Sequence, residues 1–306
     1  MSERARGFMV CVVAYLAALA AALAAGASLR AYGLVVHPLL LVAAADLVGT
    51  VVVFVLSVAV GNSSLYDPYW SVAPLFIAGF LWFAGGTPLS PRSAAVLALV
   101  LVWGVRLTWN WARGWRGLSH EDWRYLRIRE RAGAAYWPVS FLGIHLMPTV
   151  MVYLGCLPLW PALSAGGRGS GWLDGVALVV TTAAVWIEAT ADRQLHRFVG
   201  QGPPPGAVLE SGLWALSRHP NYFGEILFWW GLYLFGLAAD PGRWWTGGGA
   251  LAITLLFVFI SLPLIERRML ERRGEAYRAV CRRRSLLIPW RPRPDEVDSG
   301  QEDLER

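Results

Sequence analysis

The chain has 306 residues, of which 56% are hydrophobic and only 16% charged, with a formal net charge of +6 and a positive mean hydropathy. That is more apolar surface than one water-soluble core of this length needs, so a soluble globular domain is excluded. The basic balance does not mark a nucleic-acid binder either, because the positive residues stand at the borders of apolar runs.

Every basic residue other than histidine is arginine. A GC-rich genome explains this, and the alternative is that planar, forked guanidinium groups suit phosphate and headgroup contacts. Cys11, Cys156 and Cys281 are far apart and the first two lie inside apolar runs, so neither a disulfide framework nor a zinc spacing exists.

In chain order, the apolar runs predict eight membrane helices, near 8–26, 38–60, 69–84, 93–112, 138–160, 172–190, 221–238 and 244–265. A helix needs roughly 17–25 apolar residues to cross a bilayer. The expected fold class is an all-α polytopic membrane bundle, a single multi-pass domain over 1–290 followed by a disordered acidic tail over 291–306. The first run is longer than a signal core and lacks a clear cleavage site before Ser28 and Arg30, so it reads as a retained anchor. The third is short, and Pro74 with a helix break at Gly85-Gly86 leaves a full, tilted or re-entrant segment open.

Arginine placement sets the expected topology. Arg113, Arg116, Arg124, Arg127, Arg129 and Arg131 crowd one link, and the segment after the eighth run is richer still. Arg92, Arg168 and Arg243 stand alone in links on the opposite side, which predicts cytoplasmic N- and C-termini. A bacterial-type plasma membrane is the expected location, with membrane lipids as neighbours and no obligate protein partner.

Along the chain, Asp46 is a carboxylate inside the second run, where an ionisable group faces the protein interior or a water pocket. Tyr66, Asp67 and Tyr69 place a carboxylate beside two phenols at an expected helix start. They read either as an interfacial aromatic belt with a cap or as proton donors for a bound carbonyl. Between Arg106 and Arg131 tryptophans alternate with arginines as on an interfacial helix, and Glu121 and Asp122 either clamp arginines or bind ligand hydroxyls. His145 reads as a satisfied core residue. Glu188, Asp192 and His196 recur every fourth residue and form a polar stripe on the sixth helix.

The five histidines show no paired boxes, so no metal site is expected, and no glycine-rich segment sits between a strand and a helix. The proline-rich stretch 200–212 predicts a flexible cytoplasmic segment. It leads to Ser217-Arg218-His219-Pro220-Asn221-Tyr222-Phe223-Gly224-Glu225, in which Pro220 suits a first helical turn and Asn221 shares a face with Glu225. After the eighth run the sequence predicts a helix leaving the membrane, a turn at Gly274, a second short helix and an apolar return to Trp290.

The 217–225 motif, Asp192 with Gln194 and Leu195, and the closing stretch Tyr277 to Pro289 resemble the C-terminal region of the steroid 5-alpha-reductase family. With Tyr66-Asp67-Pro68-Tyr69-Trp70-Ser71 and Glu121-Asp122-Trp123-Arg124-Tyr125, the whole chain most resembles its bacterial-type branch, DUF1295, over about residues 40–290. The resemblance implies a membrane reductase that holds NADPH in a cytoplasm-facing cavity and delivers hydride to a carbon–carbon double bond of a hydrophobic lipid substrate. Its reductase-like module would span about 172–290. Asp192, Arg218, Asn221, Glu225, Arg267 and Tyr277 would be cofactor-binding. The steroid-reducing members set a glutamate and a tyrosine from successive early spans against the substrate carbonyl; Asp67 and Tyr69 are the nearest substitutes and the catalytic candidates.

Arg218, His219, Pro220, Tyr222 and Gly224, with Glu275 and Tyr277, also resemble isoprenylcysteine carboxyl methyltransferases, which bind S-adenosylmethionine. A non-catalytic lipid-binding membrane protein is the third alternative.

Overall fold

A computed structural model describes residues 2–86, 88–164 and 167–293. Nearly all of the predicted acidic tail lies outside them. Among the described residues there is no strand, and eight helices are long and apolar enough to cross a membrane. These are α1 Glu3–Ala31, α2 Pro38–Val60, α3 Tyr69–Gly85, α4 Pro91–Gly114, the helical stretch α5 Trp123–Cys156, α6 Trp172–Gly200, α7 Pro220–Ala239 and the helical stretch α8 Pro241–Arg283. The all-α multi-pass architecture follows the hydropathy pattern.

Local chemistry sets the helix ends. Pro38, Pro91 and Pro220 open their helices, where a missing N–H costs nothing and the fixed φ is already helical. α3 does stop at the predicted Gly85-Gly86 break, where Gly86 takes the left-handed conformation (φ 61°). Pro74 lies inside it without ending it.

The third span starts earlier than predicted. A buried 3-10 turn over Ser63–Tyr66 runs into α3, so the apolar helical segment is Ser63–Gly85, and Tyr69 lies within it instead of at its edge. The fifth span also differs from 138–160, because its helical stretch begins at Trp123 and ends at Cys156 before Pro158, with a short helix Leu159–Leu163 after it. Two π-turns, Phe141–Leu146 and Phe257–Ser261, each precede a proline, Pro148 and Pro263. A proline ring clashes with the carbonyl four residues back, and a widened turn relieves it.

The chain divides into two compact units. The first comprises 1–181 and 229–253. Its core holds Trp103 and Trp229 edge-to-face at 5.4 Å, both fully buried, with Trp229 lying over Gly155, where a Cβ would meet its ring. Arg92 makes a two-pronged pair with Asp174 (2.6 and 2.8 Å) and donates to the carbonyls of Arg168 and Gly169. The second unit comprises 182–228 and the residues from 254 onward. α8 is bent there at Gly274 (φ 51°, ψ −127°), where the sequence predicts a turn.

Candidate functional site

In the second unit the side chains of the 217–225 motif converge on one carboxylate. Glu266 sits where α8 changes from apolar to arginine-rich sequence. Its Oε1 accepts from His219 Nε2 (2.6 Å) and from the Tyr277 hydroxyl (2.5 Å). Its Oε2 accepts from Arg218 Nη1, and the same nitrogen donates to Cys281 Sγ. Arg218, His219 and Glu266 are all largely buried, with side chains 13%, 5% and 17% exposed. A buried carboxylate with several charge-assisted donors holds those donors in fixed positions.

The backbone around this cluster is tied on two sides. Ser217 Oγ accepts from His219 N and donates to the carbonyl of Leu287 (2.7 Å), while Arg218 N donates to Ser285 O and Trp290 N to Leu216 O. The predicted apolar return is therefore a short parallel bridge beside the motif. On the other side Gln194 accepts from Leu213 N, and Trp214 Nε1 donates to Ala191 O, fastening the end of the 200–212 segment to α6. Gly224 permits the closest approach: a Cβ there would lie 2.5 Å from Glu188 Cγ and 3.0 Å from Ala184 O.

The structure thus brings Arg218 and Tyr277 together around Glu266. Glu225 is buried and Asp192 half-buried, each with interactions of its own. Asn221 is half-buried, and its Oδ1 is shielded from solvent without a hydrogen-bond partner. Arg267 is exposed and stands outside the Glu266 cluster. Among the described residues no group of three or more His, Cys, Asp or Glu could hold a metal ion.

The first unit separates the two residues expected to act as a pair. Asp67 accepts from the Tyr125 hydroxyl (2.7 Å), whereas the Tyr69 hydroxyl donates to Asp46 Oδ1 (2.7 Å) and Asp46 O (3.0 Å). The carboxylate facing Tyr69 is therefore Asp46 of α2. Tyr66 does stack on Tyr69, with ring centroids 5.0 Å apart, but its hydroxyl bonds Thr149, which bonds Thr50. Glu121 clamps Arg129 and accepts from Ser63 N and the Tyr136 hydroxyl, while Asp122 caps the first turn of α5. His145 is fully buried and bonds Ser140 O and Ser57, as a satisfied core residue should.

Sequence reasoning passed over Glu266 and the pairing of Asp46 with Tyr69. Glu266 carried a signal, being the first charge after twenty-two residues without one, at the end of an apolar run. The Asp46–Tyr69 contact carried none, because it depends on the third span starting at Ser63 and drawing Tyr69 inward.

The chain is 30% identical over 207 residues to an uncharacterized protein of Schizosaccharomyces pombe, covering 60% of each chain. It is 33% identical over 98 residues to methanethiol S-methyltransferase 1 of Bradyrhizobium diazoefficiens, covering 31% of each. The matches thus span less than two thirds of the first relative and about a third of the second. No solved structure matches the chain. The model of a family described as protein of unknown function (DUF1295) matches residues 53–284, most of the chain, including the Glu266 cluster, and the chain belongs to that family.

Proposed function

We propose that this protein is a membrane methyltransferase that takes its methyl group from S-adenosylmethionine and passes it to a thiol or similar soft nucleophile. The observation that carries the reading is the state of Arg218: its Nη1 is engaged by Glu266 and Cys281 within the protein. A cofactor with several phosphates needs free forked cations, and the motif's arginine has one arm of its fork committed to Glu266, while its Nε is shielded from solvent. S-adenosylmethionine has no phosphate and presents amine and hydroxyl donors, for which the buried Asn221 Oδ1 is an unmatched acceptor. The relative named as a methyltransferase supports the same direction, and neither relative described above is named as a reductase.

When bound, S-adenosylmethionine supplies an electrophilic methyl group on a sulfonium. The protein's own part is to bind and orient: Asn221 accepts from the cofactor, with Asp192 and Glu225 as further candidate acceptors. Glu266 keeps Arg218, His219 and Tyr277 in place at the opening of α7. Buried acceptors favour a cationic ligand by charge as well as by hydrogen bonding.

NADPH-dependent reduction of a lipid double bond is the second reading. It is favoured by the Asp46–Tyr69 contact, a carboxyl and a phenol from successive early spans of the kind the steroid-reducing proteins use.

Thermal stability of the purified protein in detergent separates the two. S-adenosylmethionine at about 100 times its Kd should add about 2.7 kcal/mol of stability and a clear rise in Tm, while NADPH leaves Tm unchanged. A rise with NADPH alone overturns methyl transfer in favour of reduction, and no rise with either leaves the non-catalytic lipid-binding alternative.

A further inference from the structure

In the second unit the 285–290 stretch is fixed beside the entrance of α7. Ser217 and Ser285 form the parallel bridge, and Arg218 N donates to Ser285 O. Trp290 N donates to Leu216 O (3.0 Å), Arg293 N donates to Arg283 O (2.9 Å), and the Ser285 hydroxyl donates to Ile288 O. α7 starts at Pro220, just beyond the bridge, and α8 passes from apolar to arginine-rich sequence at Glu266. A stretch held against the first turn of a spanning helix stands at the level where the apolar core of a bilayer meets its headgroups.

This anchored stretch leaves its largest apolar side chains uncovered. Ile288 and Trp290 are 61% and 72% exposed, although the backbone of both is tied into the fold. An indole with an apolar body and one N–H is the side chain that settles at a membrane–water border. Arg291 and Arg293 follow at once. Both are exposed and, among the described residues, neither side chain makes an ion pair or hydrogen bond. Arg283 and Arg284, a few residues earlier, are instead paired with Glu210. The surface thus offers two uncovered apolar side chains beside two uncommitted forked cations, which match the acyl boundary and the phosphates of a lipid leaflet.

We propose that the 288–293 segment is a docking surface for anionic phospholipid, with Ile288 and Trp290 set into the acyl–headgroup boundary and Arg291 and Arg293 on the phosphates. Charge selects the lipid. A phosphatidylcholine headgroup brings a choline cation that opposes the arginines, whereas phosphatidylglycerol presents a net negative charge to them. The same segment holds Leu216, Ser217 and Arg218 by backbone and hydroxyl bonds, so lipid seated on it also steadies the 217–225 motif. The surface uses neither methyl transfer nor reduction and is independent of both readings.

The test uses the full chain in phospholipid nanodiscs with a bimane fluorophore on Pro292→Cys, Cys281→Ser removing the half-buried thiol while Cys11 and Cys156 are buried. Quenching is read against the mole fraction of phospholipid spin-labelled near the top of its acyl chain, carrying either a glycerol or a choline headgroup. The expected result is an association constant about ten-fold higher for phosphatidylglycerol, the order that two arginines at a membrane surface supply. Arg291→Gln/Arg293→Gln should bring the two lipids to within about two-fold of each other, whereas Arg6→Gln/Arg113→Gln, at exposed positions of the first unit, should leave the preference unchanged. Ile288→Ser/Trp290→Ser should weaken quenching by both lipids. The Tm should be higher in phosphatidylglycerol nanodiscs than in phosphatidylcholine ones, and the double glutamine variant at 291 and 293 should lose that difference. Equal association of the two lipids, a preference that survives loss of both arginines, quenching unchanged without Ile288 and Trp290, or a Tm indifferent to headgroup charge would each overturn the proposal.

Discussion

His219 donates its Nε2–H to Glu266 Oε1 at 2.6 Å, joining residues 47 apart in sequence. The same carboxylate holds Arg218 and Tyr277, so one acidic side chain at the polar end of an apolar helix organises the whole opening of α7. Arg218 reads as a cofactor ligand in sequence, yet within the fold Glu266 answers its charge.

Glu266→Ala should therefore be more damaging than loss of any one donor. Removing one partner of a buried ion pair costs roughly 3–5 kcal/mol because the other charge is left uncompensated. His219→Ala should cost about 1 kcal/mol, the worth of an ordinary hydrogen bond. Thermal melts of the two variants in detergent should rank them in that order, and a Glu266→Ala protein as stable as His219→Ala would show that the cluster does not hold the second unit together.

Gly224 should tolerate no side chain. Even a methyl group would lie 2.5 Å from Glu188 Cγ and 3.0 Å from the carbonyl of Ala184, and a backbone oxygen cannot turn aside. Overpacking of this kind costs typically 1–3 kcal/mol. Gly224→Ala should lower Tm and Gly224→Leu should lower it further or prevent folding, whereas Gly143→Ala, with open space around it, should leave Tm unchanged.

Asn221→Ala should separate binding from stability. Its Oδ1 has no partner to lose, so the change should stay within about 0.5 kcal/mol of the wild type. The rise in Tm with S-adenosylmethionine should disappear. A variant that melts normally and still responds fully to S-adenosylmethionine would remove Asn221 from the cofactor site.

The helices were legible because a bilayer demands long apolar runs and because proline and glycine mark their ends, as at Pro38, Pro91, Pro220 and Gly86. Boundaries inside polar, aromatic stretches were not. The run from Ser63 to Tyr66 carries two serines and a tyrosine, which hydropathy assigns to a loop, yet Ser63 is buried through its bonds to Tyr136 and Ser140. Candidate polar residues stood out where one motif gathers them, as at 217–225, and their contacts were hidden where the partner lies on another helix, as Asp46 does from Tyr69 and Glu266 from His219. Sequence spacing reports which residues share a helix face and says nothing of the face opposite.

The arginine-rich links predict cytoplasmic termini. A cysteine at Ser2 or Arg293, introduced with Cys281→Ser and beside the buried Cys11 and Cys156, should react with a membrane-impermeant maleimide in inside-out vesicles and be protected in right-side-out ones. Reaction of the Ser2→Cys protein from the outside would require an odd number of crossings before the arginine-rich link that ends at Arg131, and would remove one of the first four spans.

Tyr69 and Asp46 should show strong energetic coupling. Tyr69→Phe removes the hydroxyl that donates to Asp46 Oδ1 and leaves both carboxyl oxygens of a buried side chain unmatched. Leaving a buried group unsatisfied costs about 1–3 kcal/mol, whereas replacing both partners by apolar groups of similar shape is nearly neutral. Asp46→Leu alone should be milder, because the Tyr69 hydroxyl keeps the carbonyl of Asp46 as an acceptor at 3.0 Å. The double variant Asp46→Leu/Tyr69→Phe should then melt at a higher temperature than Tyr69→Phe alone, a double-mutant coupling that additive, independent sites would not produce. If the two effects simply sum, the contact between α2 and α3 is incidental, and Asp46 is satisfied by something other than Tyr69.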